Sequence, residues 1–387
     1  MTSPRRPAPG RRPPPSRPAR PPARLHARAL PGLEPLLSEE LIRALRADRL
    51  EVTRGRVLFD CLAPRPPLAQ ILPCDGLCLL VRHAAGDFAG PRGLAEVRGK
   101  LARTTFDRHL PRLPELGLAP PEGFRVRASV ARSCGFAFFD IVREVAPILE
   151  RRLALPAAEG PNALVVDIEC SPTELHIGFG LPLVDWAEAR RRALPRSLAG
   201  ALVCLARPAP RVAVGDPDCG SGELLRAWRT VVPTARPVGF SLGPRDAISR
   251  GAAPAVIASP RAWPLAPGRL SRIISALPRI TSAGHLAHLL GEASRCLAAG
   301  GCAALATPLT GAWRAAVESQ PRLSLERVVR VHHDDRPLDV IVLTRRPDTG
   351  SHLTPTTAGD RARATRKLGG AAAQQKPRRA RRGQREP

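Results

Sequence analysis

The sequence predicts an α/β protein: a doubly wound, mainly parallel sheet in the C-terminal half, preceded by an α+β region and flanked by two disordered basic tails. Three observations carry this. From about Leu183 onward, short apolar runs alternate with helix-length segments, the pattern of parallel strands joined by crossover helices. Between 124 and 181 the order is instead strand, helix, strand, strand. At both ends the apolar pattern stops and arginine and proline replace it.

The tails come first in the argument because they hold most of the charge. Residues 1–24 contain seven arginines, nine prolines and no acid, and residues 361–387 contain ten Lys or Arg against one Glu. Together they supply +16 of the formal +26, so the 336 residues between them carry only +10. Segments with so little to bury cannot offset chain entropy, which predicts disorder over 1–24 and 347–387. Of the 60 basic residues 57 are arginine, and tyrosine is absent. That pattern matches a GC-rich coding bias, so part of the arginine excess carries no structural message. A basic tail remains a natural contact for a polyanion, most often nucleic acid.

The first folded region, 25–181, opens with the strand LHARAL at 25–30. A helix over 31–46 follows, with Pro31 in its first turn and Leu33, Leu36, Leu37, Leu41, Ile42 and Leu45 on one face. Four prolines break 57–85 into short apolar runs at Val57–Leu62 and Leu77–Val81. A helix is expected near 92–103, then a proline-rich connection at 111–121. In FRVRASVARS, Phe124, Val126, Ala128 and Val130 alternate with Arg125 and Arg127, as in a half-buried strand. A helix over 137–154 and the strands NALVVDIE and ELHIGFG complete the region. The second, 182–346, begins with an Arg-rich helix, WAEARRRALPRSLAGALVCLA. It continues through RVAVGDP (strand), CGSGELLRAWRTV (loop and helix), RPVGFS (strand), RDAISRG (helical) and PAVIAS (strand). LSRIISALP (strand), GHLAHLLGEASRCLAAG (helix) and CAALATP (strand) follow, then a closing hairpin, LERVVRVHH with DVIVLTR.

Several classes are excluded. No apolar run reaches the roughly 18–20 residues a membrane span needs, and the N-terminus lacks the apolar core of a secretory signal. Nine scattered cysteines in a chain this long read as reduced and mostly buried. Cys74 and Cys78 have no matching second pair at zinc spacing, and His285 and His288 suit a surface or core role, so no metal site is expected. These readings predict a soluble protein of the cytoplasm.

The sharpest local signal is Asp216-Pro217-Asp218-Cys219-Gly220-Ser221-Gly222, between an apolar strand and a helix. Glycines at such a turn let backbone approach a ligand where a side chain would clash. Neither the GxGxxG dinucleotide pattern nor a GxxxxGK[ST] phosphate loop is present. Residues 216–222 match DPxCGSG, the first motif of the THUMP-domain RNA methyltransferases, which this chain resembles over roughly 25–346. The PGLE opening of LHARALPGLEPLLSEEL, the 124–180 unit, the Leu-Ala-rich helix ending near 206 and LGEASRCLAAGG extend the resemblance.

The resemblance implies S-adenosylmethionine as cofactor, a Rossmann-like methyltransferase sheet and a THUMP-like RNA-binding module before it. Asp216, Pro217, Cys219, Gly220, Ser221 and Gly222 are implied to hold the methionine part of the cofactor. Ser241 stands where the family has the acid for the ribose hydroxyls, and Ser259 where an acid contacts the adenine. The family's fourth-strand motif, an Asx followed by a proline and an aromatic, holds an exocyclic amine and stacks the base. Here it aligns with Ala276, Leu277, Pro278 and Arg279, so alanine replaces the acceptor and arginine the ring. The implied activity is methyl transfer to a base amine, guanine in tRNA or rRNA. The alternatives are a methyltransferase-fold protein that binds RNA or a partner without turnover, and a small-molecule methyltransferase on the same sheet. Arg125, Arg127 and Arg132 on the THUMP-like strand, and the run Arg190, Arg191 and Arg192, are the candidate RNA contacts. With few aromatics to stack bases, such contacts rest on phosphate and shape and weaken steeply with salt.

Overall fold

The structure, a computed structural model, describes residues 21–63, 66–183, 194–241, 255–259, 262–277, 282–334 and 336–347. The expectations for 1–20 and 348–387 of the basic tails, the helical 245–251 segment, Arg190 to Arg192, Pro278 and Arg279 fall outside these residues. Ala23 and Arg24, expected in the disordered tail, are instead in the first strand, where they pair with Cys61 and Asp60.

The first sheet uses β1 (Ala23–Arg28), β2 (Asp48–Thr53), β3 (Arg56–Cys61), β4 (Gly76–Ala85), β5 (Gly123–Val130), β6 (Ala163–Cys170) and β7 (Glu174–Gly180). Their spatial order is β2-β3-β1-β4-β7-β6-β5. All neighbours are antiparallel except β5 and β6, which the helix α3 (Phe138–Leu153) connects. Alternation along each strand gives the sheet two unlike faces. Leu25, Phe59, Leu79, Phe124, Val166 and Phe179 are buried in one core with α1 (Glu34–Leu45), α2 (Gly90–Ala102) and α3. The opposite face carries His26, Arg28, Arg56, Arg127, Asp167, Glu169 and His176. Asp167 there accepts from Arg28 at 3.2 Å and Arg127 at 2.6 Å.

The first helix begins later than its proline suggests. Gly32, at φ +100°, turns the chain, and α1 starts at Glu34 with Pro35 in its first turn. Pro31 therefore precedes the helix, because the backbone N–H groups of Gly32 and Gly55 both donate to the buried Glu34 carboxylate and fix a turn there. Ile42, expected on the apolar face, is 53% exposed. The strand β2 has no counterpart in the sequence reading, since DRLEVT carries too few apolar residues to stand out.

The second sheet contains β8 (Val214–Asp216), β9 (Val238–Ser241), β10 (Ala255–Ile257), β11 (Leu270–Ala276), β12 (Leu297–Thr307), β13 (Leu323–His333) and β14 (Arg336–Arg345). Its order is β10-β9-β8-β11-β12-β14-β13, parallel up to β12 and antiparallel over the closing hairpin. The helices α4 (Arg196–Leu205), α5 (Glu223–Val231), α6 (Ala283–Cys296) and α7 (Trp313–Glu318) belong to this half. The doubly wound expectation holds. The short α7 was not foreseen, its six residues giving less than two turns of periodicity.

Residues through Arg346 form one compact unit, and two glycines show how closely its halves meet. A Cβ on Gly200, inside α4, would lie 2.2 Å from the Leu72 carbonyl oxygen, and one on Gly32 would lie 2.0 Å from that of Arg330. Around the first contact, Asp75 accepts from the Ser197 N–H at 2.8 Å and from its hydroxyl at 2.6 Å, and Arg196 donates to the Cys74 carbonyl at 2.9 Å. Around the second, the His332 N–H donates to the Pro31 carbonyl at 2.9 Å.

Candidate functional site

The strand order of the second sheet reverses between β8 and β11, and ligands of doubly wound sheets bind beyond the carboxyl ends of strands at such a point. The Asp216–Gly222 loop leaves β8 there. Its geometry is set from beneath. Asp216 is 1% exposed and its Oδ1 accepts from the Ser275 hydroxyl at 2.8 Å and from the Asp218 N–H at 3.1 Å. One carboxylate thus ties the loop to β11, across the point where the order reverses. Burial pushes the Asp216 carboxyl up to about 7, and the Ser275 and Asp218 hydrogen bonds offset only part of that rise.

The rest of the loop is held from the side. The Cys219 N–H donates to the Phe240 carbonyl in β9 at 3.0 Å, and the Gly222 N–H donates to the Cys219 carbonyl at 2.7 Å. A Cβ on Gly239 would lie 2.7 Å from the Cys219 sulfur, so the cysteine packs directly on the β9 backbone. Cys219 is a buried packing residue in this arrangement. Gly220 and Gly222 have φ of +46° and +78°, a region that L side chains rarely adopt, and Gly222 caps α5 without a side-chain bond. A Cβ on Gly220 would meet no atom within 4 Å, so this glycine faces open space. Pro217 is buried and Ser221 exposed.

The other expected residues surround this loop unevenly. Ser241 ends β9, whose Gly239 pairs with Asp216, and Ser241 itself pairs with Ile257 of β10. Ser259 lies exposed just beyond β10 and bridges to Ala262. Ala276 ends β11 beside Ala306, and the Leu277 N–H donates to the Ala306 carbonyl at 2.8 Å, with the Leu277 side chain buried. Ala276 and Leu277 of the expected amine-binding corner thus stand at the carboxyl end of β11, and Ala276 offers no side-chain acceptor. Ser275 was missed, although a hydroxyl directly after Ile273 and Ile274 in the strand LSRIISA was a signal: buried, it needs a partner.

Of the arginines, Arg125 and Arg127 come together in a cleft of about 440 Å³, with Asn162, Gly180 and Arg196 also in its wall. Arg125 is exposed, whereas Arg127 is paired with Asp167. Arg132 is exposed but lies beyond the far end of β5, away from that cleft.

The carboxyl of Asp216 yields a pH prediction. Its folded value lies above the ordinary 3.8, so the folded state holds the proton more tightly between about pH 4 and pH 7. The stability this contributes is full below that window and is lost as pH rises through 7, on the order of 4 kcal/mol for a rise from 3.8 to about 7. Asp216→Asn, which cannot ionise, should therefore gain melting temperature relative to the natural chain between pH 5 and pH 8, by several degrees. Parallel melting curves across that range would refute the assignment.

No family model matches the chain, and no curated protein matches it by sequence. Solved structures do. TrmN from Thermus thermophilus is 24% identical with a TM-score of 0.60, covering 83% of this chain and 99% of its own. A protein of Listeria monocytogenes, described as a predicted N6-adenine-specific DNA methylase, is 14% identical with a TM-score of 0.54, over 84% of this chain and 96% of its own. SMU.472, solved in complex with SAH, is 13% identical with a TM-score of 0.54, over 84% and 98%. These likenesses show a shared fold over both sheets.

Proposed function

We propose that this chain binds S-adenosylmethionine at the Asp216–Gly222 loop and transfers its methyl group to an exocyclic base amine of an RNA, guanine in tRNA or rRNA being the favoured target. The observation that carries the reading is the loop itself: a glycine turn at the strand-order reversal, pinned by a buried carboxylate and open above Gly220. The cofactor fits this surface because Gly220, which meets no described atom within 4 Å, is also a position where the backbone conformation calls for glycine. SMU.472, of the same fold, was solved with SAH, which supports the same ligand class here.

When bound, S-adenosylmethionine supplies an electrophilic methyl group. The chain's own residues hold the cofactor. Asp218, Cys219, Gly220, Ser221 and Gly222 present backbone at the turn, Asp216 and Ser275 keep it rigid, and Ser241 and Ser259 stand where the ribose and adenine are recognised. A neutral hydrogen bond from a serine is worth about 0.5–1.5 kcal/mol, against roughly 1.5–3 for a charged acceptor. Two such replacements lower cofactor affinity by about a hundredfold relative to a site with both acids. The amine is then oriented by groups other than the residue at 276.

Ala276 favours a second reading, an RNA-binding protein without turnover, since alanine cannot accept an amine hydrogen. Calorimetric titration of S-adenosylmethionine and S-adenosylhomocysteine, followed by tritiated methyl transfer to bulk tRNA and rRNA, separates the readings. Cofactor binding with label in RNA supports transfer. Binding of RNA without cofactor heat at millimolar concentration leaves the second reading.

The RNA part has its own expectation. Arg125→Glu reverses an exposed charge in the cleft and should weaken tRNA binding about tenfold at 0.1 M salt, with a shallower dependence on salt. Filter binding over a salt series measures both. An unchanged slope would mean that the cleft does not meet phosphate.

A further inference from the structure

The polar face of the first sheet holds a cluster that the proposed reaction does not use. Register places His83 of β4 directly opposite His176 of β7, and Glu174 lies two residues before His176 on the same face. The His83 and His176 rings stack, with centroids 4.4 Å apart and planes 11° from parallel. His83 Nε2 stands 3.8 Å from Glu174 Oε1, beyond hydrogen-bond reach. One donor atom from each of the three residues lies within 4.8 Å of the other two.

We infer that His83, Glu174 and His176 form a site for a divalent first-row cation, zinc being the ion their donor chemistry suits best. Two imidazoles and one carboxylate, with a fourth position left for water, are a recurrent zinc set. Bonds of about 2.0–2.2 Å place tetrahedral ligands roughly 3.3–3.5 Å apart. The cluster must therefore contract by about 1 Å. The His83 ring must also turn out of its stack on His176, because two parallel imidazoles cannot both aim an in-plane lone pair at one ion. The cluster is free to do so, because His83 and Glu174 form its rim at 39% and 38% exposure while His176 forms the floor at 4%.

Three further observations fit a cation better than a packing cluster. The Nδ1 of His176 has no hydrogen-bond partner among the described residues, a costly state for a buried ring nitrogen that a bound ion would end. Glu174 divides its oxygens: Oε2 accepts from Arg56 at 3.0 Å, which leaves Oε1 turned to His83. Arg56 also holds Glu169 at 2.6 Å, so its charge is shared and need not leave when a cation arrives. Behind the floor, the His26 ring lies 4.8 Å from that of His176 and backs it.

The site joins β4 to β7, whose partner residues are far apart in the chain, so an ion there would clasp the middle of the sheet. The test uses the full chain, purified without a polyhistidine tag and stripped with a chelator. Zinc titration by calorimetry should show one equivalent of micromolar or tighter affinity and a higher melting temperature. His83→Ala and Glu174→Gln, both at the exposed rim, should each weaken binding at least tenfold and remove the thermal shift while the unliganded melting temperature stays within a few degrees. Cobalt in place of zinc should give the visible absorption of a tetrahedral site without thiolate charge transfer. No uptake at 100 μM zinc would overturn the inference. So would affinity unchanged in both variants, which places the ion elsewhere, or a thiolate spectrum, which places it on one of the nine cysteines.

Discussion

Gly200→Ala should cost about 1–3 kcal/mol or somewhat more, a large fraction of a domain's stability. In a helix interior this change ordinarily stabilises by roughly 0.5–1 kcal/mol, since alanine loses less entropy on ordering. Here the added methyl would sit 2.2 Å from the Leu72 carbonyl oxygen and 2.3 Å from its carbon, both backbone atoms that no rotamer change relieves. Either α4 moves off the first sheet or the 71–75 segment shifts, and the second option breaks the Asp75 and Cys74 bonds to Ser197 and Arg196. Gly291→Ala is the matched control, because its new methyl would find nothing nearer than 3.8 Å, the Gln320 side chain. Urea melts of the two variants should move in opposite directions. A loss below about 1 kcal/mol for Gly200→Ala would mean that the contact between the halves is soft.

Gly220→Val should abolish measurable cofactor binding and leave the fold standing. The φ of +46° makes any L side chain there strained, at a cost of about 1–2 kcal/mol. Among the described residues no atom lies within 4 Å of the new Cβ, so their packing is not disturbed. The isopropyl group instead fills the space above the loop. Calorimetry should show an affinity at least a hundredfold weaker, or no heat, and circular dichroism a melting temperature lower by only a few degrees. Unchanged affinity would place the cofactor elsewhere, and wholesale unfolding would mean that the loop is a structural keystone and not a ligand surface.

These two glycines also mark what the sequence disclosed. Gly220 was legible, because a Gly-Ser-Gly turn between an apolar strand and a helix has few other uses. Gly200 was not, since one glycine in a Leu-Ala-rich helix looks like composition, and only the Leu72 backbone lying against it gives it meaning. The doubly wound sheet was readable because buried parallel strands are continuous apolar runs. The strand β2 was hidden by the lack of such a run, and Pro31 misplaced the start of α1 because the buried Glu34 carboxylate, not the proline, sets the turn. At the site, Asp216 declared itself by motif, while Ser275 acts through a partner on another strand. The His83–His176 pair depends on the register of β4 against β7, which long intervening segments conceal.

The PGLE turn has a consequence for the order in which the chain is made. At eleven residues, β13 is a long strand at the edge of the second sheet, and edges of that kind are templates for pairing with other chains. A bulge between Leu325 and Arg327 and the charges of Glu326, Arg327 and Arg330 blunt it in part. The remaining stretch is met by Pro31 and Gly32, which accept the His332 N–H and press on the Arg330 carbonyl. Synthesis runs from the N-terminus, so the turn at 31–34 leaves the ribosome almost three hundred residues before the strand it covers. A newborn β13 thus meets a stopper that is already folded, and the interval in which it can capture a neighbouring molecule is short.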